Sequence, residues 1–160
     1  MAALNFKAEF ADEVQAARKT CSIRGRPIKL GETVFLFTGM RTTACRRLGF
    51  GAVIGCRPIQ LGWNQNGLPL ILIDKKVINS EERELLAHQD GFVSSRRMLE
   101  WFDATYSKGT KWDDKGSILV FDGHLIYWRM SESRDRLTMT AAEFHRLAAV
   151  ATASFLGRPI

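Results

Sequence analysis

Residues 18–26, RKTCSIRGR, put an amine, two hydroxyls and three guanidiniums within a few positions of one another. If residues 20–24 form a strand, Thr20, Ser22 and Arg24 project from one face and Cys21 and Ile23 from the other. The apolar pair can then face a core, leaving the hydroxyls and the Arg24 guanidinium toward a cavity or solvent. Lys19 stands at the junction between an expected helix end and this strand. A lysine beside a hydroxyl in a partly dry pocket can give up its charge, accept a proton and make the oxygen a nucleophile. Such a pair needs a carboxylate to hold the lysine or shuttle a proton. Asp90, where a helix should end before Gly91, is the acid nominated for that role. The plain alternative for the same residues is a solvated basic turn.

Charge gives the stretch its context. The chain has 160 residues and a net charge of +6. Residues 18–57 hold nine Lys/Arg (Arg18, Lys19, Arg24, Arg26, Lys29, Arg41, Arg46, Arg47 and Arg57) against one acid, Glu32, so the rest is slightly acidic. A segment with that bias attracts polyanions if its side chains share a face, and nucleic acid is the usual polyanion. A basic surface that serves only solubility is the competing explanation. Apolar content of 46% and charged content of 25% suit a folded globular chain rather than a disordered one.

The elements that must position these residues follow from patterning. LNFKAEF alternates as a half-buried strand, and ADEVQAARK carries acids early and bases late, the order a short helix prefers. TCSIR returns to strand alternation. GETVFLFTG, GAVIGCRPIQLG and LPLILIDKKVI read as strands, the first buried between two glycine turns. NSEERELLAHQDG predicts a helix capped by Asn79 or Ser80 and stopped near Gly91. SSRRMLEWFDATY predicts a second, with Met98, Trp101, Phe102 and Thr105 at helical spacing. SILVFDGHLIYW predicts two strands joined by a turn at Asp122-Gly123. TMTAAEFHRLAAVATASFLG predicts a terminal amphipathic helix capped by Thr138 or Thr140. The sum is an α+β chain, a small β-barrel with helices packed on it, forming one domain with a tail.

Other chemistries find little support. Gly49, Gly51 and Gly55 miss dinucleotide-binding spacing and suit a bend in a strand. His88, His124 and His145 lie apart from one another and from the cysteines, so no metal site is expected, and no cofactor. Cys21, Cys45 and Cys56, an odd set without CxxC spacing, read as free thiols of a reducing compartment, hence the cytoplasm. No secretory signal or membrane span is expected. Trp101 and Phe102 belong to a helix's apolar stripe, which leaves Trp112, in a polar loop, as the better base-stacking candidate.

Several of these pieces resemble the ASCH family, a branch of the PUA-like β-barrels associated with RNA. The segments are FKAEFADEVQAARKTCSIRGR, close to the family's helix and K-T-x-[ST]-I-R strand, then LGETVFLFTGMRT, AHQDGFVSSRRMLEWF and FDGHLIYW. They occur in the family's order over roughly residues 4–130. The resemblance implies a PUA-like barrel domain over 1–130, with 131–160 a helical extension packed on it. Small bacterial members are N4-acetylcytidine amidohydrolases that use a lysine, a threonine and a glutamate. By motif these fall on Lys19, Ser22 and Asp90. Serine keeps the nucleophilic oxygen without the methyl that narrows its rotamers. Aspartate is one methylene shorter, and a displacement of about 1 Å in a catalytic group can cost about a hundredfold in rate.

Other members are RNA-binding modules or ribonucleases, and a fold does not fix a chemistry. Two readings therefore stand. In the first, a basic face of Arg24, Arg26, Lys29, Arg41, Arg46 and Arg47 holds RNA or a nucleotide, with Lys19, Ser22 and Arg24 lining the cleft and Thr20 among the ligand-binding residues. In the second, Ser22 attacks the acyl carbon of an N4-acylated cytosine, Lys19 takes its proton, Asp90 orients Lys19, and Arg24 or backbone amides steady the oxyanion. A protein–protein adaptor is the third and plainest possibility.

Overall fold

The computed structural model describes residues 1–106 and 110–131. In chain order the elements are β1 (Ala2–Phe6), a 3-10 turn (Ala8–Phe10), α1 (Ala11–Gln15), β2 (Cys21–Arg24), β3 (Thr33–Thr38) and β4 (Arg46–Trp63). There follow β5 (Pro69–Ile73), β6 (Lys76–Val77), α2 (Ser80–Gln89), α3 (Ser95–Tyr106), β7 (Thr110–Lys111) and β8 (Ile118–Met130). The expected α+β class holds, with the eight strands hydrogen-bonded into one sheet. The described chain divides into two compact units, one of residues 1–22, 28–56 and the stretch from Ile126, the other of residues 23–27 and 57–125. The predicted terminal helix, with His145 and nearly all of the 131–160 extension, lies outside the described residues.

In the first unit β1 pairs in parallel with β3, and β3 antiparallel with the early part of β4. The alternation in TVFLFT turns Val34, Leu36 and Thr38 inward. They meet Leu4, Phe6, Val14, Ile126 and Trp128 in a core where the Phe6 and Trp128 rings lie 5.7 Å apart. Thr38 is satisfied there by donating to the Phe6 carbonyl at 2.9 Å. The β3–β4 ladder slips between Leu36 and Phe37, opposite Gly49 and Arg47, so Leu48 has no Cα partner. This bulge sends Leu48 into the core and leaves Arg46 and Arg47, consecutive residues, both exposed.

In the second unit the later part of β4 pairs with β5, and β5 with β6. Ile59, Leu61, Ile71 and Ile73 form the inner face. Asp74 and Lys75 both take left-handed φ (51° and 64°), the pattern of a two-residue hairpin turn between β5 and β6. Helix α2 starts at Asn79, one of the two caps expected, and in a capping box: Asn79 accepts from the Glu82 amide at 2.9 Å and donates its own amide to the Glu82 carboxylate at 2.9 Å. Helix α3 buries Met98, Leu99 and Phe102.

Two expectations are corrected. The stretch SILVFDGHLIYW is not a hairpin but the single strand β8. Gly123 is used there for close approach, since a Cβ at that position would run into the Arg24 carbonyl and the Phe121 ring. Helix α1 is only five residues long. Ala17 follows it with φ 58°, and the amides of Arg18 and Lys19 both turn back to the Glu13 carbonyl at 2.9 and 3.0 Å. That left-handed residue ends the helix and sets the direction in which Lys19 leaves it.

Candidate functional site

The first unit holds Lys19, Thr20 and Ser22. Lys19 is 3% exposed and Ser22 6%. The Lys19 amine donates to the Cys21 carbonyl at 3.0 Å and sits 5.3 Å from the Phe10 ring centre and 5.9 Å from that of Phe6. Ring faces attract a cation at such distances, and two of them partly replace the water that burial removes. Thr20 is half-buried, its carbonyl accepting from the Trp128 amide at 3.1 Å. Cys21, Ser22 and Ile23 are all buried, so both faces of β2 are covered there. The solvated turn is thereby excluded for Lys19 and Ser22, while Arg26, just beyond the strand, is exposed.

The second unit holds Asp90 and Arg24. Asp90 caps the C-terminus of α2 and is 3% exposed. Its amide donates to the Leu86 carbonyl at 2.9 Å, that of Gly91 (φ 91°) to His88 at 3.0 Å, and that of Phe92 to Ala87 at 2.8 Å. These bonds form the Schellman closure that the sequence signalled with Gly91, and they fix the backbone from which the carboxylate projects. Arg24 is half-buried. Burial pulls its pKa below the usual guanidinium value, while the nearby Asp90 carboxylate and, to a lesser degree, Tyr106 oppose that shift.

The remaining nominated cations are all in the first unit: Lys29 is exposed between β2 and β3, and Arg41, Arg46 and Arg47 lie on the β3–β4 connection and the start of β4. The connection is internally braced: Thr42 donates its hydroxyl to the Gly39 carbonyl at 2.6 Å and accepts from the Ala44 amide at 3.2 Å. The Met40 amide ties it to the Asn5 side chain at 3.1 Å. All three arginines are exposed, and Arg46 donates to the Gln15 amide oxygen at 3.0 Å. Among the described residues none of the three is ion-paired. By contrast Arg18 is forked onto Glu13 at 2.8 and 2.9 Å, and Arg57 is paired with Asp74.

Other candidates sort differently. Trp112, favoured for stacking, lies half-buried with its ring against Gly62, where a Cβ would strike it. Trp63 escaped notice in the sequence. Its indole donates to Asp103 at 3.1 Å while the Arg96 guanidinium rests 5.6 Å over the ring. Tyr106 also escaped notice, as the last residue of an amphipathic helix. Among the described residues no three His, Cys, Asp or Glu side chains group as a metal site, and no helix is long and apolar enough to cross a membrane.

The class that fold and site define is an α+β chain with a charge-bearing interior and a braced arginine surface. Neither family models, nor curated proteins, nor solved structures yield a match to it.

Proposed function

We propose that this chain is an ASCH-type, PUA-like domain that binds RNA, or a nucleotide or nucleoside, through an arginine-bearing surface. The observation that carries the reading is the trio Arg41, Arg46 and Arg47, exposed on a hydrogen-bonded connection and the strand start that follows it, and without an acidic partner among the described residues. Guanidiniums free of internal acids suit phosphate oxygens, which they meet with forked donors. The test is fluorescence anisotropy of a labelled short single-stranded RNA across a salt series. Log affinity should fall linearly with log salt, because every phosphate contact releases counterions. Absent binding, or binding indifferent to salt, overturns the reading.

A second reading is favoured by one specific observation. Lys19 and Asp90 are the only two charged residues buried among the described residues, and Ser22 is buried as well. The corresponding function is hydrolysis of the amide of an N4-acylated cytosine. Ser22 Oγ would bond to the acyl carbon as its proton passes to Lys19. The C–N4 bond then breaks, Lys19 returns the proton to the leaving nitrogen, and water hydrolyses the Ser22 ester to release the carboxylate. Acetate release from N4-acetylcytidine, lost in Lys19→Ala and in Ser22→Ala, is the expected result. Full turnover in both variants, or none in the wild type, removes this reading.

A further inference from the structure

We infer that Tyr106 supplies the stacking face for a nucleobase bound beside Arg24. The inference rests on the RNA- or nucleoside-binding reading and names a contact that reading lacks. Tyr106 ends α3, and its side chain is 49% exposed. Its ring nevertheless has a fixed bed, with Phe121 at 5.1 Å, Phe102 at 5.8 Å and Trp101 at 6.1 Å between centroids. Arg24 adjoins that bed: its carbonyl and the Phe121 ring close over Gly123 so tightly that no side chain fits there.

A tyrosine serving the core alone would be covered as Phe102 is, at 3% exposed. A helix end needing only solvation has no use for three rings beneath it. An aromatic that is immobilised on one side, open on the other and beside a half-buried cation is instead prepared for a planar ligand. It has few torsions to freeze on binding. Every base offers a π-face, so the platform is tolerant of sequence, and the neighbouring guanidinium can reach a base carbonyl or a phosphate oxygen.

The experiment compares a short single-stranded RNA with the same strand made abasic throughout, on wild type, Tyr106→Phe and Tyr106→Leu. Wild type should prefer the base-bearing strand. Tyr106→Phe, which keeps the ring, should keep that preference. Tyr106→Leu, which keeps apolar volume over Phe121, should lose about tenfold in affinity for the base-bearing strand and nothing for the abasic one. If wild type binds both strands equally, or Tyr106→Leu retains the preference, or it weakens both strands alike, Tyr106 is no stacking platform, although RNA binding survives. If wild type binds neither strand, the RNA reading itself has failed, and this inference with it.

Discussion

Replacing Arg41, Arg46 and Arg47 together by alanine tests the binding surface most directly, because the structure separates these arginines from the paired ones. Each can meet one phosphate, and on single strands each contact contributes about 0.7 to the slope of log affinity against log salt. Three contacts thus give a slope of about 2, which the triple variant should lose. Between about 50 and 200 mM salt that slope is worth about twentyfold in affinity, so the wild type should weaken by at least that factor while the variant's curve flattens. Arg18→Ala is the matched control. Its guanidinium is already held by Glu13, so removing it should change the slope by less than one contact. Anisotropy with a labelled strand reads the slopes, and thermal melting checks the fold, which exposed substitutions of this kind disturb little. A triple variant that binds with the wild-type slope would show that these arginines meet no phosphate.

Two further outcomes concern the scaffold. Asn79→Ala removes one half of the capping box at the start of α2, which should cost about 1 kcal/mol and lower the melting temperature by about 2–4 °C; an unchanged melting temperature would mean that the cap contributes nothing. The Ser95 hydroxyl and, less strongly, its amide hold the Glu84 carboxyl below its ordinary value of 4.5. Because the folded-state value is the depressed one, this bond's stabilisation is present above pH 4.5 and is lost as the pH falls through the folded value. Urea melts of wild type and Ser95→Ala should therefore differ at neutral pH and converge in acid; a constant difference would contradict the assignment.

Local signals placed much of the scaffold. Asn79, with Glu82 three residues on, and Gly91 bracket α2 almost to the residue, because caps are written in adjacent positions. The alternation around Cys21 located β2 but not the burial of Ser22, since a strand's second covered face depends on what packs over it. Asp122-Gly123 misled for a similar reason. The same dipeptide serves a left-handed turn and a crowded strand crossing, and only the approach of Arg24 decides between them. Ala17 offered no warning of its positive φ, because alanine has no preference for that region, yet it directs Lys19. The joint exposure of Arg46 and Arg47 required a bulge at Leu48, a property of the ladder rather than of the dipeptide. Tyr106 gains its meaning from Phe121, on a strand that follows it in the chain, and no window around α3 contains that information.

The buried lysine and aspartate are the features that folding alone explains least. Taking an ammonium or a carboxylate out of water costs several kcal/mol per ion before compensation, against a net stability of about 5–15 kcal/mol for a whole domain. The aromatic rings and the carbonyl around Lys19 return part of that cost, and the Asp90 carboxylate offsets part of the burial of the Arg24 guanidinium near it. Methionine at 19 would fill comparable volume beside Phe6 and Phe10, whereas asparagine at 90 would take from the half-buried Arg24 guanidinium the carboxylate that offsets its burial. Buried ionisable groups are over-represented where a protein binds or reacts, which makes Lys19 and Asp90 each a position to test by substitution.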